Sequence, residues 1–220
     1  MNTFSHVATM HNLERNAIFR VQTDTRGDVW MRVTEGTEKM IVEVDAVRFL
    51  EAWLLPGSSH RDVALRGKNG WSKDYKFRYA EEGFSRGWVN PVPLAEVCAG
   101  HWNSNEIVKR DGFFDALLRK INRKPNGPNN FLLEPKYGPY VAFTDGVTRT
   151  IWLLNAGVAR FPVSCSRRNA NELHSLAGVA DSQPIAVSEL IPELEHIEKL
   201  KEYETYKQML LQHGLPEYAW

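Results

Sequence analysis

A strand–turn–helix–strand unit at residues 140–165 constrains the fold more than any other part of the chain. Residues 140–144 predict a strand, and Asp145-Gly146 predicts a sharp turn directly after it. Residues 147–156 predict a helix that ends at Gly157, because glycine readily takes the left-handed conformation that follows a helix C-terminus. Residues 160–165 predict the next strand. The chain is therefore expected to mix strands and helices within one domain.

The remaining segments extend this α+β interpretation. Three stretches alternate apolar and polar residues with turn signals between them, and they predict an N-terminal β-meander: Ala17–Thr23, Asp28–Thr34 and Met40–Val44. Pro162 predicts that its strand lies at a sheet edge. A helix is expected from about Asp111 and a proline-rich loop over residues 123–139. We expect a flexible N-terminus at 1–16, a single domain at 17–177 with a mixed sheet, and a C-terminal helical extension at 185–213.

Composition excludes several classes of protein. The 220 residues carry 27 Lys and Arg against 27 Asp and Glu, so no general attraction to nucleic acid or membrane is expected. No apolar run is long enough to span a bilayer, and the polar start lacks the apolar segment of a secretion signal. Cys98 and Cys165 are too few for a disulfide framework. These features predict a cytoplasmic protein without membrane insertion.

Sequence motifs of catalysis are missing. The seven histidines are dispersed without ligand spacing, and no phosphate-loop, dinucleotide or nucleophile-elbow motif occurs. We therefore predict no metal, no cofactor, no catalytic residue and no enzymatic activity.

The turn at residues 145–149 is the one local constellation that favours a ligand. The free N–H groups of the first helical turn and the positive end of the helix dipole attract anions. Gly146 would let a ligand approach the backbone, Thr148 offers a hydroxyl, and Arg149 can bind a phosphate through two hydrogen bonds. The alternative is that Asp145 or Thr148 caps the helix and Arg149 forms an internal ion pair.

A longer pattern resembles the ParB/sulfiredoxin fold. It comprises Asn90-Pro-Val-Pro-Leu-Ala-Glu-Val97, a helical insert, and the strand, Gly-x-x-Arg turn, helix, glycine and Pro-Val strand that end at Val163, within about residues 88–165. Sulfiredoxins place a catalytic cysteine where this chain has Val147, so their chemistry is not expected here. ParB-type nucleotide sites carry Gly-Glu-Arg-Arg where this chain reads Gly146-Val147-Thr148-Arg149. The resemblance therefore implies a weakened, vestigial nucleotide site at Asp145, Gly146, Thr148 and Arg149.

A narrower resemblance covers more of the chain. The residues that carry it are Trp71, Asp74, Tyr75, Lys76, Phe84 and Gly87, followed by NPVPLAEV, FTDGVTRTIWLL and FPVSC. Together they resemble the plasmid fertility inhibition factors, which are encoded by one conjugative plasmid and reduce transfer of a co-resident one. The implied partner is the coupling protein, the hexameric ATPase that delivers DNA to the type IV secretion channel.

Two functions from different classes remain open. The first is a monomeric inhibitor that docks on the coupling ATPase with no obligatory nucleic acid. Its expected contact residues are Trp71 and Trp88 at predicted loop–helix junctions, Asp74 and Lys76 nearby, and Glu195, Glu198 and Glu202 on the acidic final helix. The second is a ParB-like nucleotide-binding nuclease or ATPase that acts on the competing DNA, with Arg149 on the triphosphate.

Overall fold

The N-terminal strands form a four-stranded mixed sheet. The computed structural model describes residues 1–10, 13–36, 38–109 and 131–215. Strands β1 (Phe4–Thr9), β2 (Arg15–Thr23) and β3 (Gly27–Thr34) are antiparallel neighbours, and β5 (Val92–Pro93) runs parallel to β3. Phe19 lies opposite Met31, and both side chains are fully buried. The alternation that predicts β2 and β3 thus places one face of this sheet on the core.

The N-terminal meander differs from the prediction in its membership. The segment predicted as flexible forms β1, whose Phe4 ring packs edge-on against Phe19 at 5.9 Å between ring centroids. The buried Glu43 carboxylate accepts hydrogen bonds from the backbone N–H of Thr3 at 2.8 Å and Asn2 at 3.1 Å. The sequence predicted a flexible start, whereas long-range contacts connect residues 1–10 to β2 and to Glu43.

A five-stranded mixed sheet lies at the centre of the domain, in the order β7-β6-β8-β4-β9. Its strands are β4 (Lys39–Asp45), β6 (Ala95–Lys109), β7 (Phe131–Asp145), β8 (Arg160–Ser166) and β9 (Ile185–Ala186). β4 was expected to close the meander, but it pairs with β8 in this second sheet. The α+β class with mixed sheets is confirmed.

Helices cover this sheet and carry the rest of the core. In the described segments they are α1 (Ala46–Trp53), α2 (Arg61–Leu65), α3 (Gly67–Trp71), α4 (Phe77–Ser85), α5 (Val147–Ala156), α6 (Arg167–Ala177), α7 (Val187–Leu190) and α8 (His196–Gln212). Phe49 and Trp53 of α1 pack against Phe143 of β7. No helix in the described part of the chain combines the length and the apolar character that a membrane crossing needs.

The strand–turn–helix–strand unit forms as predicted: β7 ends at Asp145, and α5 ends at Gly157 in the left-handed conformation. Pro162, however, does not mark an edge strand, since β8 lies between β6 and β4. The parallel ladder with β6 begins only at Val163, so Pro162 lies outside that ladder.

Two further predictions differ from the structure. The loop expected over 123–139 is wrong from residue 131 onward, where β7 begins. Pro135 and Pro139 are tolerated in this strand because β7 is an edge strand. The expected final helix is interrupted between α7 and α8 at Pro192, which disfavours helical geometry at Ile191. The helix expected from about Asp111 lies outside the described residues.

Candidate functional site

An open cavity of about 690 Å³ lies where α4, the end of β7 and the start of α5 meet. It is lined by six residues that the sequence analysis singled out: Asp74, Lys76, Asp145, Gly146, Thr148 and Arg149. The turn proposed as an anion site and two of the polar residues proposed as partner contacts, Asp74 and Lys76, are thus parts of one site. Val63, Val92 and Ile151 add an apolar lining.

Gly146 sets the geometry of the turn. Its φ of +94° is in the region that favours glycine, and a Cβ at this position would lie 2.6 Å from both Cα and Cβ of Ala95. The Gly146 carbonyl accepts hydrogen bonds from the backbone N–H and the hydroxyl of Thr150. No side chain caps the N-terminus of α5, so the predicted capping by Asp145 or Thr148 does not occur.

Asp145 and Arg149 form the internal ion pair that was the alternative to ligand binding. Asp145 Oδ2 lies 2.6 Å from Arg149 Nη2, and Asp145 Oδ1 accepts the Gly146 N–H at 2.6 Å. The Arg149 side chain is only 17% exposed, whereas that of Asp145 is 74% exposed. Arg149 Nε is buried and has no hydrogen-bond partner among the described residues. The arginine is therefore only partly satisfied by its own chain.

Two exposed tyrosines flank the mouth of the cavity. Tyr75 is 73% exposed and Tyr79 is 55% exposed. The Lys76 ammonium lies 5.6 Å from the centre of the Tyr75 ring, and the Arg78 guanidinium lies 4.9 Å from that of Tyr79. Neither tyrosine was among the predicted contact residues. The buried positions of α4 follow Phe77, Ala80 and Phe84, and that spacing is the signal that leaves Tyr79 outside.

Three of the predicted contact residues interact with other parts of the fold. Trp71 is buried, and its indole N–H donates to the Val63 carbonyl at 2.8 Å, so its prediction as a contact is wrong. Trp88 is half-buried, with its ring 5.4 Å from that of His213, and its role as a partner contact stays a prediction. Glu202 is bound internally, as described below.

The charges on α8 divide into an inner and an outer set. Glu195 and Glu198 are exposed and form a capping box at the start of the helix, and their role as partner contacts stays a prediction. Glu202 instead lies 3.0 Å from the buried Arg15 and accepts the Thr9 hydroxyl at 2.6 Å. Lys199 pairs with Glu35 at 2.7 Å. Charged side chains thus fasten this helix to the first sheet.

Glu202→Gln is expected to lower the free energy of unfolding by about 1 kcal/mol at pH 7, a value reduced because the side chain is 38% exposed. Burial raises the pKa of Glu202. Hydrogen bonds from Thr9 and Arg15 and the charges of Arg15 and Lys199 together lower this pKa by a larger amount, so it lies below the ordinary value of a glutamate. A carboxyl with a lowered folded pKa stabilises the fold above its unfolded pKa, and that contribution disappears as pH falls through the folded pKa.

Urea unfolding at pH 7 and at acidic pH measures this effect. The difference between Glu202→Gln and the unmodified protein should narrow at acidic pH. Glu204→Gln, an exposed change on the same helix, should show no difference at either pH. An equal loss at both pH values for Glu202→Gln would contradict the electrostatic origin.

Comparisons with known proteins assign the family. A model of the plasmid fertility inhibition factor family matches residues 41–178, well over half of the chain, and that range contains the whole cavity. The chain is 28% identical over 184 residues to Protein osa of Shigella flexneri, covering 81% of this chain and 77% of the relative. The crystal structure of the Oncogenic Suppression Activity Protein, described as a plasmid fertility inhibition factor, matches with a TM-score of 0.56 and 27% identity over 85% of this chain and 81% of the other. This chain belongs to the plasmid fertility inhibition factor family.

Proposed function

We propose that this fertility inhibition factor acts in the cytoplasm as a monomer by binding the coupling ATPase of a conjugative type IV secretion system, and that it does so without catalysis. Bound there, it would block a surface that the DNA substrate or a neighbouring ATPase subunit requires. Family membership supports fertility inhibition. The coupling ATPase is the partner that the sequence resemblance implies.

The observation that carries the proposal is the mouth of the cavity, where Tyr75 and Tyr79 are exposed beside Lys76 and Arg78. Tyrosine and arginine are enriched among the residues that dominate the binding energy of protein interfaces. Burial of the tyrosine rings against a partner removes a large apolar area from water, while each hydroxyl can still form a hydrogen bond. The cavity beside them can receive side chains from that partner.

The absence of catalysis is part of the proposal and has a chemical reason. Val147 occupies the position at which the resembling sulfiredoxins carry their nucleophile, and an aliphatic side chain forms no covalent intermediate. The exposed carboxylate of Asp145 is already engaged by Arg149 and the Gly146 N–H. It is therefore poorly available as a metal ligand for nucleotide hydrolysis.

One observation favours the second candidate, a ParB-like nucleotide-binding nuclease or ATPase that acts on the competing DNA. The N-terminus of α5 opens into the cavity without a side-chain cap, and the buried Nε of Arg149 beside it has no hydrogen-bond partner among the residues that the structure describes. A phosphate group that displaced the Asp145 carboxylate would gain the first-turn N–H groups and the guanidinium. This function needs Arg149, whereas docking does not.

Calorimetric titration against the soluble domain of a coupling ATPase, with and without ATP, CTP and Mg²⁺, tests both candidates. We expect binding that is independent of nucleotide, that persists in Arg149→Ala, and that weakens about tenfold or more in Tyr79→Ala, as for an interface anchor. Tyr137→Ala is the matched control, because Tyr137 is 68% exposed but does not line the cavity.

Two results would contradict the docking proposal. One is unchanged affinity in Tyr79→Ala together with a loss in Tyr137→Ala. The other is an absence of ATPase binding combined with saturable nucleotide binding that Arg149→Ala abolishes, which would establish the second candidate instead.

A further inference from the structure

We infer that the cavity face docks an acidic protein segment in which a large apolar side chain lies next to carboxylates. This inference deepens the proposed function and rests on it, since it specifies the chemistry of the partner surface that the mouth of the cavity binds.

The floor of the cavity selects an apolar side chain. It is lined by Val63, Val92 and Ile151, with Phe143 at the end of β7. Gly83 lies on the facing side of α4, where a Cβ would come within 3.4 Å of Val92, so a larger residue would narrow the floor. A volume of about 690 Å³ is in the range of pockets that enclose a ligand group. Burying an aromatic or aliphatic side chain there removes apolar surface from water on both partners.

The charges at the mouth leave a positive surplus. Each acidic residue of the lining has an ion-pair partner: Asp145 pairs with Arg149 at 2.6 Å, and Asp74 pairs with Arg66 at 3.4 Å, although Arg66 also pairs with Asp62 at 3.1 Å. The positive surplus therefore comes from the cations outside these pairs. The exposed Lys76 has no carboxylate within ion-pair distance in the described ranges. Its ammonium group therefore remains available to an external carboxylate.

The same positive surplus extends along the segment before and after Lys76. Lys73 is exposed and has no ion pair with any described residue, and Arg78 bonds only to the hydroxyl of its neighbour Tyr79 at 3.0 Å. Carboxylates spaced along an extended peptide would complement these cations while the peptide's apolar side chain fills the floor.

A nucleic acid fits this face less well than an acidic peptide. Binding to DNA draws its affinity from a track of cations that neutralises successive phosphates. Here the cations outside ion pairs with described residues are few, namely Lys73, Lys76 and Arg78, and they lie on one short segment instead of following a track. The aliphatic floor also matches an apolar side chain rather than the polar edges of a base.

Fluorescence polarisation with the full-length protein tests the inference. The probes are a labelled peptide with one phenylalanine flanked by glutamates, the same peptide with serine for phenylalanine, its lysine counterpart, and oligo-dT. We expect saturable binding of the Glu–Phe peptide, weaker by about tenfold for the serine version and absent for the lysine version and oligo-dT. Lys76→Glu should weaken it by about tenfold or more, whereas Lys201→Glu, an exposed charge reversal on α8, should leave it unchanged.

The outcomes separate this inference from the proposed partner. Binding of oligo-dT in preference to the Glu–Phe peptide would overturn the inference, as would peptide binding that ignores Lys76→Glu. If the coupling ATPase binds with equal affinity to Lys76→Glu and to the unmodified protein, the inference fails and the proposed function stands. If the peptide binds in a Lys76-dependent manner but the ATPase does not bind, the surface stands and the proposed partner is wrong.

Discussion

Gly146→Ala is expected to lower the free energy of unfolding by about 2 to 5 kcal/mol. Part of this loss, about 1 to 2 kcal/mol, is the cost of the left-handed conformation for a residue with a Cβ. The rest, about 1 to 3 kcal/mol, arises because the new methyl group would lie 2.6 Å from Ala95, so β6 and the turn must move apart. The Arg149 guanidinium, 3.0 Å from the same point, must shift as well.

Gly27→Ala supplies the matched control. Gly27 also has a positive φ, of +70°, but nothing lies within 4 Å of a Cβ built there. It should lose only the conformational cost of about 1 to 2 kcal/mol. Urea unfolding of both variants measures the difference. Equal losses of unfolding free energy at the two positions would contradict this expectation. They would mean that the turn and β6 move apart without a free-energy cost, and that the close packing of Gly146 does not stabilise the cavity wall.

The unit around Gly146 was predictable from sequence because every signal that defines it is local. The Asp-Gly turn, the apolar helix and Gly157 lie within a single stretch of chain, and each acts on the backbone of its immediate neighbours. The same is true of β2 and β3, whose alternating residues pair directly across a tight turn.

Strand partners were not predictable on the same basis. The alternation of apolar and polar residues identifies β4 as a strand. The sequence of residues 39–45 does not indicate whether this strand pairs with β8 or with the preceding β3. β4 pairs with β8 because that pairing buries Val42 opposite Val163, which lies more than a hundred residues further along the chain. The ordering of β1 likewise depends on Glu43, a carboxylate whose role appears only when the second sheet places it beside Thr3.

The candidate site shows the same division. The anion turn and the residues around Asp74 were two unrelated predictions, since they are separated by about seventy residues. Packing of α4 against α5, with Phe84 stacked on Trp152 at 4.3 Å, brings them to one cavity. Which tryptophans face outward was also undetermined, because an aromatic residue at a loop–helix junction is equally suited to a core and to an interface.

Trp71→Ala is expected to lower the free energy of unfolding by about 3 to 5 kcal/mol, the usual cost of deleting a large buried aromatic side chain. Trp71 ends α3, which packs against α5. The substitution would leave a void behind the cavity wall and remove the hydrogen bond to Val63 at 2.8 Å. Trp71→Phe keeps most of the volume but loses this hydrogen bond and part of the indole's packing, so its expected cost is about 1 to 3 kcal/mol.

A binding measurement on these variants distinguishes a structural tryptophan from a contact residue. If Trp71 acts only inside the fold, Trp71→Phe should bind the coupling ATPase as tightly as the unmodified protein whenever it is folded. Trp88→Ala is the control for stability, since its half-buried ring packs on His213 near the chain end and its removal should cost about 1 kcal/mol. A Trp71→Phe protein that unfolds cooperatively but binds the coupling ATPase at least about tenfold more weakly would show that Trp71 contributes to the interface. The expected order of stability loss, with Trp71→Ala far above Trp88→Ala, follows from the deeper burial of Trp71 and from its hydrogen bond to Val63, because both substitutions delete the same indole.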